Sequence, residues 1–290
     1  MIVLENECLR VEISTLGGTL QSIRGKKTGI EYLWQGDRTY WGGRAPNLFP
    51  FVGRLYGGEY LYQGKPHPMK CHGFLGKQEL TPGEVLPDRC VLRLADSPET
   101  REIYPFRFLL ELEYRLEGRS LQICFRAENR GEDTMYCGFG GHPGFNVPLE
   151  PGLRFEDYEM RFPTACEPSL VEFSPGVLTL GTRPYPLKEG RILPLERELF
   201  CFDAVVLTGC PREVTLGSQK GSHGVTLRFP DMPYVGLWQM PGKNAPFVCI
   251  EPWSLCPGRE GVLEDISAMP DMTAIEPGGT ASNRWSIEIF

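Results

Sequence analysis

No apolar run in this sequence of 290 residues approaches the ~18 that a membrane-spanning helix needs. Blocks of like charge are missing as well. Thirty Lys and Arg are interspersed with 37 Asp and Glu, for a formal net charge of −7. A mildly acidic chain without basic clusters suits neither nucleic acid nor an anionic membrane surface. Residues Met1 to Glu7 hold neither a basic stretch nor a long apolar one, so no export signal is expected, and the cytoplasm is the expected compartment. Cys-x-x-Cys does not occur, although there are ten cysteines. Several sit in apolar runs, such as Cys124 and Cys249, and the plainer expectation is reduced thiols acting as small buried hydrophobes. Helical periodicity is scarce too: no stretch of about twelve residues free of Gly and Pro keeps apolar side chains at i, i+3 and i+4.

What the chain does have is punctuation. Its 34 glycines and 26 prolines divide it into short β-branched and aromatic runs with period-two alternation. Leu9–Ile13, Phe108–Leu116, Leu121–Ala127, Val225–Phe229 and Trp285–Ile289 are of this kind. Alternation puts Leu112, Tyr114 and Leu116 on one face and Glu111, Glu113 and Arg115 on the other, the pattern of a half-buried antiparallel strand. Leu116–Leu121 reads as a tight hairpin connection. The Pro-dense segment 162–194 reads as loop. Neither repeats nor linkers interrupt the chain, so residues 1–290 are expected to form one all-β antiparallel sandwich domain with little helix.

Polar chemistry concentrates in a few turns. Of four histidines, His72 and His142 lie in Gly- and aromatic-rich segments, Cys71-His72-Gly73-Phe74 and Gly138-Phe139-Gly140-Gly141-His142-Pro143-Gly144-Phe145-Asn146. Four glycines within seven residues would let the backbone approach a ligand closely. His67 and His223 sit in polar turns and read as structural. Arg54 follows the run Asn47–Val52 and precedes Gly57-Gly58, which reads as a strand end, where a five-donor guanidinium suits a polyhydroxylated or anionic ligand as well as a structural ion pair. Glu251, at the end of Phe247-Val248-Cys249-Ile250 and before Pro252-Trp253, reads as a partly desolvated carboxylate with its pKa raised towards a useful proton acceptor. Asp203 is an isolated acid in the apolar run Leu199–Leu207, either paired and buried or bound to a ligand hydroxyl. Trp41, Phe51, Tyr56, Phe74, Phe139, Trp238 and Trp253 are available as an apolar platform for a sugar ring, or as core.

Leu48-Phe49-Pro50-Phe51-Val52-Gly53-Arg54-Leu55, His72-Gly73-Phe74, Tyr104-Pro105-Phe106-Arg107-Phe108, Gly140–Asn146 and Cys249-Ile250-Glu251-Pro252-Trp253 together resemble the aldose 1-epimerase (galactose mutarotase) family, in particular its LacX-like branch. The resemblance spans the chain and implies a large antiparallel β-supersandwich. It also implies interconversion of the α and β anomers of an aldose by acid–base ring opening and reclosure, without metal or organic cofactor. In that chemistry Glu251 would be the general base and His142 the general acid. Arg54, His72 and Asp203 would hold sugar oxygens, with Trp238 against the ring. The implied partner is a small-molecule hexose, bound by a monomer or weak homodimer. The imidazole is expected to be cationic and to face the carboxylate across a pyranose-sized gap. For a 6-phosphorylated hexose an extra basic pocket is required, with Arg44, Lys70, Lys77 and Arg101 as candidates. A sugar-binding protein without catalysis, or a glycoside hydrolase using Glu251 and Asp203, are the alternatives.

Overall fold

The computed structural model describes all 290 residues. Strands dominate and every ladder between them is antiparallel; helix is limited to Pro98–Ile103 and four short 3-10 turns. Nine strands form one sheet in the order Ile192–Pro194, Tyr158–Arg161, Glu213–Ser218, Val225–Arg228, Thr280–Ile289, Ser120–Asn129, Phe108–Glu117, Arg89–Ala95 and Thr81–Val85. A second sheet runs Thr179–Pro184, Ser169–Phe173, Val205–Thr208, Tyr234–Trp238, Phe247–Trp253, Gly140–Gly141 and Asn47–Leu48, with Gly144–Asn146 also paired to Phe247–Trp253. Ile2–Glu5, Leu9–Ile13 and Leu20–Gly25 make a separate three-stranded sheet.

Alternation decides which side chains meet. Leu110, Leu112, Tyr114 and Phe125 of the nine-stranded sheet and Leu48, Val206, Val248 and Ile250 of the other join one core cluster of 71 buried residues. The Tyr114 hydroxyl crosses that core, donating to the Gly18 carbonyl at 2.6 Å and accepting from Asn47 Nδ2 at 2.8 Å, so its burial leaves no unmet polar group. Glu117 pairs with Ser120 across Gly118 and Arg119, closing the hairpin where it is expected.

The structure departs from two expectations. Segment 162–194 is not loop: it contributes the strands Ser169–Phe173, Thr179–Pro184 and Ile192–Pro194. Thr179–Pro184 lies at a sheet edge with five of its six residues exposed, so it needs no apolar alternation and tolerates its terminal proline. Glu251 does not end its strand either. Phe247–Trp253 is continuous and buried on both faces. Val248 and Ile250 enter the main core, whereas Phe247 and Cys249 join Trp34 and Ala245 in a smaller cluster covered by Tyr40, Trp41 and Trp238.

Candidate active site

The register of three adjacent strands creates the centre. Gly140 stands opposite Trp253, and Gly144 opposite Cys249, so the intervening His142 falls opposite Glu251. Side chains at opposed positions of neighbouring strands share one face, and His142 Nε2 lies 3.4 Å from Glu251 Oε2. On the other side of Glu251 stands Gly236, and Trp238 is opposite Cys249.

Two of the glycines around His142 are fixed by the packing of the core. A Cβ on Gly141 would stand 2.5 Å from the Trp285 indole, and one on Gly138 would stand 1.5 Å from Leu255 Cδ2. At Gly138 and Gly141 the protein's own core leaves no room for a side chain. The segment is further pinned by the His142 N–H, which donates to the Pro46 carbonyl at 3.0 Å.

His72 is held by its backbone and its ring together. Its φ is +66°, in the left-handed region, and its N–H donates to the Gly53 carbonyl at 2.8 Å. In return the Gly53 N–H donates to His72 Nδ1 at 3.1 Å. The neighbouring Gly73 has φ +74°, and a Cβ there would meet the Phe49 carbonyl oxygen at 2.1 Å, so no other residue fits. Because Nδ1 accepts, the ring hydrogen of the neutral imidazole belongs to Nε2. Burial, helped by the Arg54 charge, pushes the His72 pKa down to about 4, so the ring is a neutral donor near pH 7.

A cleft of about 330 Å³ collects these groups, at the small end of the range for ligand sites. Arg54, His72, His142, Asp203, Trp238 and Glu251 all line it, although they come from six separate stretches of chain. Glu251 is only 1% exposed and His142 8%. Burial, reinforced by Asp203, raises the Glu251 pKa well above the usual carboxylate range, whereas burial and the nearby His72 lower that of His142 well below the usual imidazole range. The unliganded centre therefore holds a neutral imidazole beside a carboxyl that resists ionisation, in place of the expected cation. Both groups also stand side by side and not across a gap. Glu251 Oε2 and His142 Nδ1 have no hydrogen-bond partner, an uncommon state for buried polar atoms.

Around this pair the walls divide by chemistry. Trp41 stacks on the His142 ring at 4.9 Å and 24°, and Trp238 meets it edge-on at 5.5 Å and 76°. Asp203 lies in the turn before Val205–Thr208, where its Oδ1 accepts from the Ala204 N–H at 2.8 Å. Its pKa is raised by burial, against the opposing pull of that N–H, Arg54 and Trp238. Arg54 is exposed at the mouth, in an irregular segment and not at a strand end, beside the Cys71 thiol. Cys71, Phe173 and Val177 line the cleft unforeseen, Cys71 because it was grouped with the buried thiols and the others because their segment reads as loop. Phe51, Phe74 and Phe139 belong to the core, and Tyr56 is exposed outside the cleft; Trp41, Trp238 and Trp253 are the aromatics that reach it.

A family model described as aldose 1-epimerase matches residues 1–260. The chain is 37% identical over 301 residues to the plasmid and chromosomal LacX proteins of Lactococcus lactis subsp. lactis, covering 100% of this chain and 99% of each relative. Among solved structures, a galactose mutarotase related enzyme from Lactobacillus acidophilus is similar at TM-score 0.93 and 30% identity, over 99% of this chain and 96% of that one. A galactose mutarotase-like protein from Lactobacillus casei matches at TM-score 0.93 and 28% identity over 100% of both chains.

Proposed function

The chain belongs to the aldose 1-epimerase family, and from that premise we propose that it is a cofactor-independent mutarotase, with Glu251 and His142 as its proton-transfer pair. The observation that carries this reading is the 3.4 Å contact between His142 Nε2 and Glu251 Oε2 on the floor of the cleft. Ring opening takes a proton from the anomeric hydroxyl and gives one to the ring oxygen. Those two oxygens are bonded to the same carbon, so an acid and a base on one patch of the cleft floor can reach both within hydrogen-bond distance.

The pair carries one mobile proton. In ring opening the Glu251 carboxylate takes the anomeric proton while protonated His142 gives its Nε2 proton to the ring oxygen. That leaves a neutral carboxyl and a neutral imidazole, the state that burial favours in the unliganded protein. After rotation about the C1–C2 bond, reclosure reverses both transfers. His142 accepts from the attacking hydroxyl and Glu251 returns a proton to the aldehyde oxygen, so the cycle balances. A bound sugar hydroxyl donating to Glu251 favours the carboxylate and primes the opening step. His72 Nε2–H, Arg54 and Asp203 hold further hydroxyls, and buried groups left unpaired by an absent hydroxyl supply discrimination.

The test is polarimetric equilibration of fresh α-D-glucose and α-D-galactose with catalytic amounts of protein. Acceleration that is lost in Glu251→Gln supports the proposal. Sugar binding without acceleration over a panel of aldoses and their 6-phosphates would overturn it in favour of a non-catalytic sugar-binding protein.

A second reading concerns the substrate. Arg54 and Cys71 separate the cleft from an adjoining cavity of about 420 Å³, lined also by Leu55, Gly58, Met69, Lys70 and Gly176, with two cations and no acid. Such an annex suits a phosphate on the exocyclic end of a hexose. Of the other basic candidates, Arg44 is engaged by the Gln21 carbonyl and Gln35, Arg101 is paired with Asp96, and Lys77 lines neither cavity. Side-by-side assays should then give a higher kcat/KM for the 6-phosphate, with Lys70→Ala lowering that value and sparing the free sugar.

A further inference from the structure

The strand Phe247–Trp253 carries a side chain on the cleft side that proton transfer leaves unused. Cys249 is two residues before Glu251, so both point to the same face, and His142 stands opposite Glu251 on the next strand. One ligand atom from each of these three buried residues lies within 4.8 Å of the other two. We propose that His142, Cys249 and Glu251 form a capture site for a borderline transition-metal cation such as Zn²⁺, whose binding blocks the cleft's own chemistry.

Distances favour the site over a hydrogen bond. A tetrahedral Zn²⁺ with Zn–N and Zn–O bonds of about 2.0–2.2 Å separates two such ligand atoms by about 3.4 Å. His142 Nε2 and Glu251 Oε2 are already 3.4 Å apart, long for a charge-assisted hydrogen bond but fitted to a shared ion. Glu251 Oε2 is buried without a partner and so has a lone pair to offer. The sulfur lies within 4.8 Å of the other two donors and has to approach them to about 3.6 Å, a movement of about 1 Å. The cleft leaves room for a water as fourth ligand.

The donor set also sets the metal class. A thiolate with an imidazole and a carboxylate prefers Zn²⁺ or Co²⁺, whereas Mg²⁺ and Ca²⁺ seek oxygen ligands alone. Binding would release the Cys249 thiol proton, and the carboxyl proton, to solvent as the metal–ligand bonds form. His142 Nδ1 has no partner, so the ring lacks the outer hydrogen bond that holds the ligating histidines of resident metal centres. This is the arrangement of a site that takes up an ion reversibly, and the ion competes with the sugar for the same carboxylate.

The existence of the site rests on geometry alone; its effect on turnover rests on the function proposed above. Co²⁺ titration of the intact protein should give a one-to-one thiolate-to-cobalt charge-transfer band in the near ultraviolet. That band should persist in Cys71→Ala and Cys201→Ala, whose thiols are exposed, and vanish in Cys249→Ala. Zn²⁺ should stop mutarotation while Mg²⁺ does not. Cys249→Ala should raise the Zn²⁺ needed by more than about ten-fold, the smallest loss expected even for an outer-shell partner. No band in the wild type, or an undiminished band in Cys249→Ala, overturns the site. A band in a protein that accelerates no mutarotation supports the site and overturns the proposed function instead.

Discussion

Glu251 occupies surroundings that disfavour the charge its role requires. At neutral pH, removing that group should relieve the fold as it removes the activity. Glu251→Gln keeps the shape and supplies an amide N–H that can donate to neutral His142. We expect the rate to fall by about 10²–10⁴-fold, the usual contribution of a positioned acid–base group. The same variant should raise Tm by about 2 °C, as about 1 kcal/mol does in a protein of this size. Polarimetry and calorimetry on one sample check both; a lower Tm would show that the carboxyl stabilises its surroundings. At the same scale, His72, His142, Arg54 and Glu251 stand out in the sequence by their local settings, and the fold brings all four to one cleft. Their mutual distances are not legible there, because His142 and Glu251, 109 positions apart, become neighbours only through strand pairing.

At the scale of the element, the strand Gly140–Gly141 shows how the core disciplines the site. Gly141→Ala would force its methyl into the Trp285 indole, which belongs to the facing sheet. Overpacking of this kind costs about 1–3 kcal/mol. Since His142 follows directly, its ring should shift away from Glu251 and activity should fall with stability. Pairing the change with Trp285→Leu, which opens the space, should restore part of both; simple additivity of the two changes would argue against the clash. The strands Phe108–Glu117 and Ser120–Asn129 could be read from alternation because one of their faces is wet. Ser169–Phe173 and Thr179–Pro184 could not, because partial or full exposure erases the pattern. The opposite condition hides the site strand: Phe247–Trp253 is dry on both faces, so its apolar run does not disclose that the far face meets a cleft.

The whole molecule should register the part-buried His72 imidazole as a dependence of stability on pH. His72 has a pKa of about 4 in the folded protein, below the ~6.5 of an exposed imidazole. Between those values the unfolded chain binds the proton and the folded one does not, so stability is intact above about pH 6.5 and falls as pH drops towards 4. A His72→Gln variant should lose less Tm over that window than the wild type, and chemical denaturation at pH 7 and pH 5 would show it. Equal losses would mean that His72 takes up its proton in the folded state without penalty.

None of the residues lining the cleft belongs to the nine-stranded sheet. The outer side of that sheet instead bears ion pairs such as Arg93 with Glu111 and Arg228 with Glu288. Exposed pairs of this type add little to stability. Lysines introduced there would provide a handle for anchoring the protein to a bead or an electrode, with the opening of the cleft left towards the bulk liquid.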